Sequence, residues 1–356
     1  MSLLKEVKSD KTEKVMELLQ SPQDLNVKDN KTGNSLLHFA IENQNMTILN
    51  ALLALENKPN LNVLNNEDVS PLAYAAMLNF IDAMEPLLKH GADPNFCPPE
   101  GRTALHYAAV TNLREAVKIL LKHGADINKA NEEGSALHIA TRESNDDVAL
   151  LLMENPNINF FATDSEGNTF LHISVQYGAY NIFQKFFTDL ENGVYTSLKV
   201  TDLLNKANQN GNTLFHEAEI HKRLSISQFL KQNTEKFNLN PSAKNKDGFT
   251  AEDCKNQNLQ KAKEEEEMKK LKKEEAKEIR KQRKIETDQL NEERRKQEII
   301  MRKKEKEEEQ RVMEAMKNAQ KKKPLISIAI VMALLTSLYY VLSYGIQKKK
   351  DKVLDL

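Results

Sequence analysis

Short polar turns alternate with pairs of apolar stretches along the first two-thirds of the chain. The stretches carry the spacing of one buried helix face, as in Val117-Lys118-Ile119-Leu120-Leu121. A Ser/Thr-x-Leu-His phrase opens most pairs: Ser35-Leu36-Leu37-His38, Ser70-Pro71-Leu72-Ala73, Thr103-Ala104-Leu105-His106, Ser135-Ala136-Leu137-His138, Thr169-Phe170-Leu171-His172 and Thr213-Leu214-Phe215-His216. A degenerate copy begins at Thr250, and the leading residues are spaced 35, 33, 32, 34, 44 and 37 apart. Such a period marks stacked supersecondary units, because one helix pair cannot bury its apolar face alone.

A glycine stands one or two residues before most copies (Gly33, Gly101, Gly134, Gly167, Gly211, Gly248), which predicts a tight turn with a permissive backbone. The phrases His90-Gly91-Ala92-Asp93-Pro94-Asn95 and His123-Gly124-Ala125-Asp126-Ile127-Asn128 predict helix stops with glycine in the left-handed position. On these motifs the segment 1–254 resembles the ankyrin repeat, a finger followed by two antiparallel helices. The resemblance implies six repeats, an N-terminal capping helix near Leu3–Leu19, and a closing fragment at Gly248–Cys254. It also implies that the Ser/Thr hydroxyl and the His ring bond backbone groups at the first helix and in the neighbouring finger. Three departures stand out. Repeat two has Asp68 for Gly and Ala73 for His, which predicts a looser turn. Repeat four is one residue short in its finger. About ten extra residues near Glu191–Asp202 precede repeat six, either a partner-specific loop or drift.

From Phe249 to Lys323 there is no Gly and no Pro, and 261–323 is dominated by good helix formers. Glu265/Lys269, Glu266/Lys270, Glu292/Lys296 and Glu298/Arg302 stand at i,i+4 in the favourable order. Met268, Leu271, Ile279, Ile285, Leu290, Ile299, Val312 and Met316 are too sparse and irregular for a heptad. The expectation for 255–323 is therefore a solvated single-helix stalk, on the order of 90–100 Å long; a coiled coil with self-association is the alternative. After Pro324, Leu325–Ile346 contain no charged side chain. As a helix they would span about 33 Å, enough for a hydrocarbon core of about 30 Å. Lys321–Lys323 and Lys348–Lys350 bracket the span, and the heavier basic load on its N-terminal side predicts repeats facing the cytosol. The fold class expected is all-α: an ankyrin-repeat solenoid (1–254), a long charged helix (255–323), one transmembrane helix (324–346) and a short basic tail (347–356). The layout resembles a tail-anchored protein of the mitochondrial outer membrane or the endoplasmic reticulum.

Charge is split between these blocks. Residues 1–254 hold 23 Lys+Arg against 33 Asp+Glu, and 255–323 hold 24 against 17, so a near-zero total hides an acidic head and a basic neck. The acidic head, and a neck without interleaved aromatics, argue against nucleic acid. Cys97 and Cys254 stand alone, which suits a reducing compartment and implies neither disulfide nor zinc. No phosphate loop, nucleophile elbow or zinc-protease signature occurs. Seven of the eight histidines have structural places, leaving His221. No catalytic residue, cofactor or metal is expected, and the chain is read as a non-enzyme.

The repeat resemblance implies a protein partner on the concave surface formed by the fingers and first helices. Its register places there Lys31, Thr32 and Asn34; Glu67; Glu100 and Arg102; and Glu132, Glu133, Arg142 and Glu143. Farther along come Ser165, Glu166, Asn168, Gln176 and Tyr177, then Gln209, Asn210, Asn212 and His221. Acidic and amide groups predominate, which predicts a basic or polar partner. The function expected is a membrane-anchored protein-interaction adaptor. Alternatives are an ankyrin-repeat effector of an intracellular bacterium, or a regulatory subunit of an enzyme complex.

Overall fold

The structure is a computed structural model and describes residues 2–99, 101–196 and 198–319, together with Met332, Ala333, Thr336 and Tyr339. The chain divides into two units, Met1–Ala262 and Lys263–Leu356. Secondary structure is almost wholly helical.

Helices come in antiparallel pairs: α3 (Leu36–Glu42) with α4 (Met46–Ala54), α5 (Pro71–Met77) with α6 (Ile81–Lys89), and α7 (Ala104–Val110) with α8 (Arg114–Lys122). They continue as α9 (Ala136–Arg142) with α10 (Asp146–Met153), α11 (Phe170–Tyr177) with α12 (Tyr180–Glu191), and α14 (Leu214–Ile220) with α15 (Leu224–Gln232). First helices pack on first helices and second on second, each pair handing its apolar face to the next. A two-residue hairpin, β1 (Ala130–Asn131) with β2 (Gly134–Ser135), forms the shortened finger of repeat four.

The N-terminal cap is not one helix. It is a pair, α1 (Leu3–Lys8) and α2 (Thr12–Leu18), packed on α3 and α4. Asp10 breaks it with φ +55, the same left-handed turn that Gln44, Asn79, Asn112, Ser144, Gly178 and Lys222 make inside later pairs. At the other end α16 (Ala251–Ala319) begins as a seventh first helix and runs on for 69 residues. Thr250 opens it as the other repeats open, with Asp253 in the histidine's place: the Thr250 hydroxyl donates to Asp253 Oδ2 at 2.7 Å. Asn258 Nδ2 then donates to Glu219 O at 3.0 Å, capping α14 much as Arg223 caps α11 through Val175 O at 3.1 Å.

The core changes along the stack. Repeats one to four are filled mainly by Leu, Ile, Val, Met and Ala, with Phe39, Tyr74 and Phe80 among them; repeats five and six add a cluster of rings. Phe160, Phe170, Phe186 and Tyr195 meet with centroids 5.0–5.4 Å apart, and Phe187 reaches Phe229 and Phe237 at 4.9 and 5.2 Å. The ten-residue insertion belongs to this core. Tyr195 stacks on Phe186, and Leu203 and Leu204 of α13 (Val200–Leu204) are buried.

Among the described residues no helix is long and apolar enough to cross a membrane. The expected span Leu325–Ile346, apart from Met332, Ala333, Thr336 and Tyr339, and the basic tail 347–356 lie outside the described residues.

Candidate functional site: the concave face of the repeats

Four of the fingers are built on an Asn or Asp whose side chain accepts from backbone amides two and four residues on. Asn65 Oδ1 accepts from Glu67 N and Val69 N, both at 3.0 Å. Asp164 Oδ1 accepts from Glu166 N at 3.0 Å and Asn168 N at 2.8 Å. Asn208 and Asn245 repeat the pattern. The second finger is therefore not loose: Asp68 adopts φ +59 where the others use glycine, and Asn65 N still bonds Val69 O at 3.1 Å. Asp tolerates the left-handed region well enough for the side-chain bonds to hold it there.

Fingers stack by backbone bonds from one tip to the next: Asn66 N to Thr32 O at 3.0 Å, Ser165 N to Glu132 O at 2.9 Å, Gln209 N to Glu166 O at 2.8 Å and Lys246 N to Asn210 O at 3.0 Å. At Gly167 and Gly211 a Cβ would sit 2.9 and 2.7 Å from the amide nitrogen of the next tip. At Gly101 a Cβ would strike the Pro98 ring at 2.3 Å.

The motif histidines tie finger to helix. Ser35 N donates to His38 Nδ1 at 3.2 Å, and His38 Nε2 meets Val69 O in the next finger at 3.0 Å. His106, His172 and His216 reach Gly134 O, Asn212 O and Phe249 O in the same way. His138 reaches both Ala162 O and Asn168 O. Burial pushes His38, His106 and His138 down to about 4 and lowers His172 in the same sense. An Nδ1 that accepts a backbone N–H has no room for a second proton. At repeat two the bridge is missing, because Ala73 carries no ring; Ser70 Oγ accepts only from Ala73 N at 3.3 Å.

The candidate contact residues separate into three groups on this framework. Lys31, Thr32, Glu67, Glu132, Glu143, Ser165, Glu166, Tyr177, Gln209, Asn210 and His221 are exposed. Arg102, Glu133, Arg142 and Gln176 are half-buried and occupied with one another or their neighbours. Arg102 grips Glu133 through two bonds at 2.6 and 2.7 Å, which holds that carboxyl below its usual range. Arg142 lies between Glu133 and Asp164 and over the Tyr177 ring, 5.7 Å from its centroid. Asn34, Asn168 and Asn212 are buried, which corrects their placement on the surface. Their amides link successive repeats instead: Asn65 Nδ2 donates to Asn34 Oδ1 at 3.0 Å, Asn208 Nδ2 to Asn168 Oδ1 at 2.9 Å and Asn245 Nδ2 to Asn212 Oδ1 at 3.1 Å. Glu100 lies outside the described residues.

One concavity lies among these residues. A cavity of about 520 Å³ opens between repeats five and six, walled by Tyr177, Gln176, Ile220 and His221 and floored by Glu217, with Glu166 and Asn210 on the finger side. Glu217 was not foreseen. It is buried, and its carboxylate accepts from Asn208 Nδ2 at 2.9 Å, Asn212 Nδ2 at 3.0 Å and Gln176 Nε2 at 3.1 Å. His221 Nε2 stands 3.2 Å from Glu217 Oε2 and pairs with it when protonated. The mouth of the site is thus an exposed aromatic ring beside carboxylates, a surface suited to a cationic or amide side chain. Among the described residues no three His, Cys, Asp or Glu side chains gather as for a metal ion.

The family described as ankyrin repeats (3 copies) matches residues 3–97, 57–131 and 93–164, so residues 3–164 carry ankyrin repeats, modules that suggest a role in protein interaction.

Proposed function

We propose that the chain is a membrane-anchored adaptor that holds a protein partner on the concave face of its repeats at a cytosolic membrane surface. The cavity between repeats five and six carries this reading. Its exposed Tyr177 ring, with Glu166 and Glu217 beside it, would receive a Lys or Arg side chain of the partner. The excess of Asp and Glu in the head would speed encounter with a basic face and exclude acidic ones. The anchor rests on the uncharged run Leu325–Ile346 and the lysines that bracket it, and membranes receiving such tails include the mitochondrial outer membrane and the endoplasmic reticulum.

Proximity labelling in cells tests both halves. Removal of residues 324–356 is expected to shift the labelled set from one organelle's surface to the cytosol, while some neighbours persist. Those persisting neighbours are expected to be lost from a chain carrying Tyr177→Ala and Glu166→Lys. Identical sets with and without the tail would refute the anchor, and neighbours indifferent to the double substitution would refute this site.

A further inference from the structure

The apolar residues of α16 do not fit a heptad, yet they are not irregular. Met268, Ile279, Leu290, Met301 and Val312 stand eleven residues apart. Eleven residues close three turns at about 3.67 per turn, so the five form one nearly straight stripe. Met268, Ile279, Leu290 and Met301 are each more than half exposed. The charged residues keep the same period. Four residues after the first three stripe positions come Lys272, Arg283 and Arg294; seven residues after come Glu275, Glu286 and Gln297. At about 100° per residue these two rows flank the stripe closely, one on each side. Ion pairs formed within the helix, Lys270–Glu266, Lys281–Glu278 and Lys296–Glu292, lie on the opposite face.

We propose that α16 pairs with α16 of a second copy of this chain, parallel and in register, through the Met268–Val312 stripe. Charge decides the orientation. In a parallel pair related by a two-fold axis along the helices, the basic flank of one copy meets the acidic flank of the other, Lys272 beside Glu275 and Arg283 beside Glu286. In an antiparallel pair centred on Leu290 each flank meets its own row, which sets Arg283 near Arg294 and Glu275 near Glu308, repulsions that the attraction of Lys272 for Glu305 does not offset. The pattern breaks in the fourth repeat, where Glu305 takes the basic position and faces Glu308, so pairing is tightest from Met268 to Gln297. Ile285 and Ile299 lie off the stripe and take no part. An eleven-residue period gives a nearly straight pair with slight right-handed twist, unlike the left-handed coil of heptads.

The test uses the full chain in detergent micelles. Sedimentation is expected to show a dimer. The chain with Ile279→Lys, Leu290→Lys and Met301→Lys is expected to be monomeric, its dissociation constant raised roughly 100-fold or more. These changes leave the helix-forming charge pairs in place, and circular dichroism verifies that the helix persists. With Cys97→Ser and Cys254→Ala as background, I279C is expected to form a disulfide between copies at least about tenfold faster than K281C on the far face. Reversing the basic flank (Lys272→Glu, Arg283→Glu, Arg294→Glu) is expected to abolish self-association. Adding a copy with Glu275→Lys and Glu286→Lys is expected to restore pairing between the two. A wild-type monomer, or a dimer that survives the three lysines, would overturn the proposal. So would bridging of I279C to M301C in preference to I279C with itself, the antiparallel signature.

Discussion

Acidification from pH 7 to 4.5 should loosen the repeat stack through its buried histidines. His38, His106 and His138 ionise near 4 in the folded chain against an ordinary 6.5. The unfolded chain therefore binds more protons between those values, and stability present above 6.5 is lost as pH falls toward 4. Each such group costs about 1.36 kcal/mol per pH unit within the window, so the three together remove about 4 kcal/mol per unit. Integrated over the range, the loss is about 7 kcal/mol, comparable with the whole stability of an ordinary domain. Glu133 and Glu219, whose pKa values are also lowered, act only below the ordinary carboxylate value of 4.5, outside this window. The assay is urea unfolding of the full chain at stepped pH, followed by hydrogen exchange in peptides of α3, α7 and α9. α16 has no histidine and serves as internal reference. His138→Gln keeps a neutral side chain and should remove about 2 kcal/mol of the pH-dependent loss. A stability flat from pH 7 to 4.5, or a slope unchanged by His138→Gln, would refute the assignment of neutral buried rings.

Two further perturbations probe packing. Ala73→His supplies the bridge absent from repeat two and should stabilise the stack by about 1 kcal/mol, read as a higher urea midpoint; a lower midpoint would mean that the site has no room for the ring. Tyr195→Ser empties a place among Phe160 and Phe186 and should cost about 2–3 kcal/mol, whereas Val194→Ser, at a residue 59% exposed, should change the midpoint little. Equal effects would show that the insertion is not part of the core.

Asparagine shows why composition alone misleads. The chain has 35 of them, a number that fits any AT-rich coding sequence. In the structure many do a repeated job. Asn65, Asn208 and Asn245 close the finger turns. Asn34, Asn168 and Asn212 link one finger to the next. Asn95 and Asn128 join the loops behind the stack, accepting from Asp126 N at 2.7 Å and Asn159 N at 2.8 Å. An amide that both donates and accepts suits a ladder in which each rung must satisfy the one above and the one below.

The sequence by itself determined the repeat, its period, the helix pairs and the long charged helix. These are local matters: apolar spacing, turn residues and helix formers act within a few positions of one another. The ankyrin resemblance also placed the motif histidines correctly, and their partner Ser or Thr lies three residues before each. Tertiary structure alone decided what spans the repeats. Asn34, Asn168 and Asn212 could be placed on a finger from sequence, but their burial depends on the neighbouring finger, more than thirty residues away. Glu217 reads as an ordinary helical glutamate until Asn208, Asn212 and Gln176 converge on it from two repeats. The same holds for the insertion, whose Tyr195 is a loop residue in the sequence and packs on the core, partly buried, only because Phe160 and Phe186 lie beside it. Burial and hydrogen-bond satisfaction are set by what folds alongside, and no local pattern carries that information.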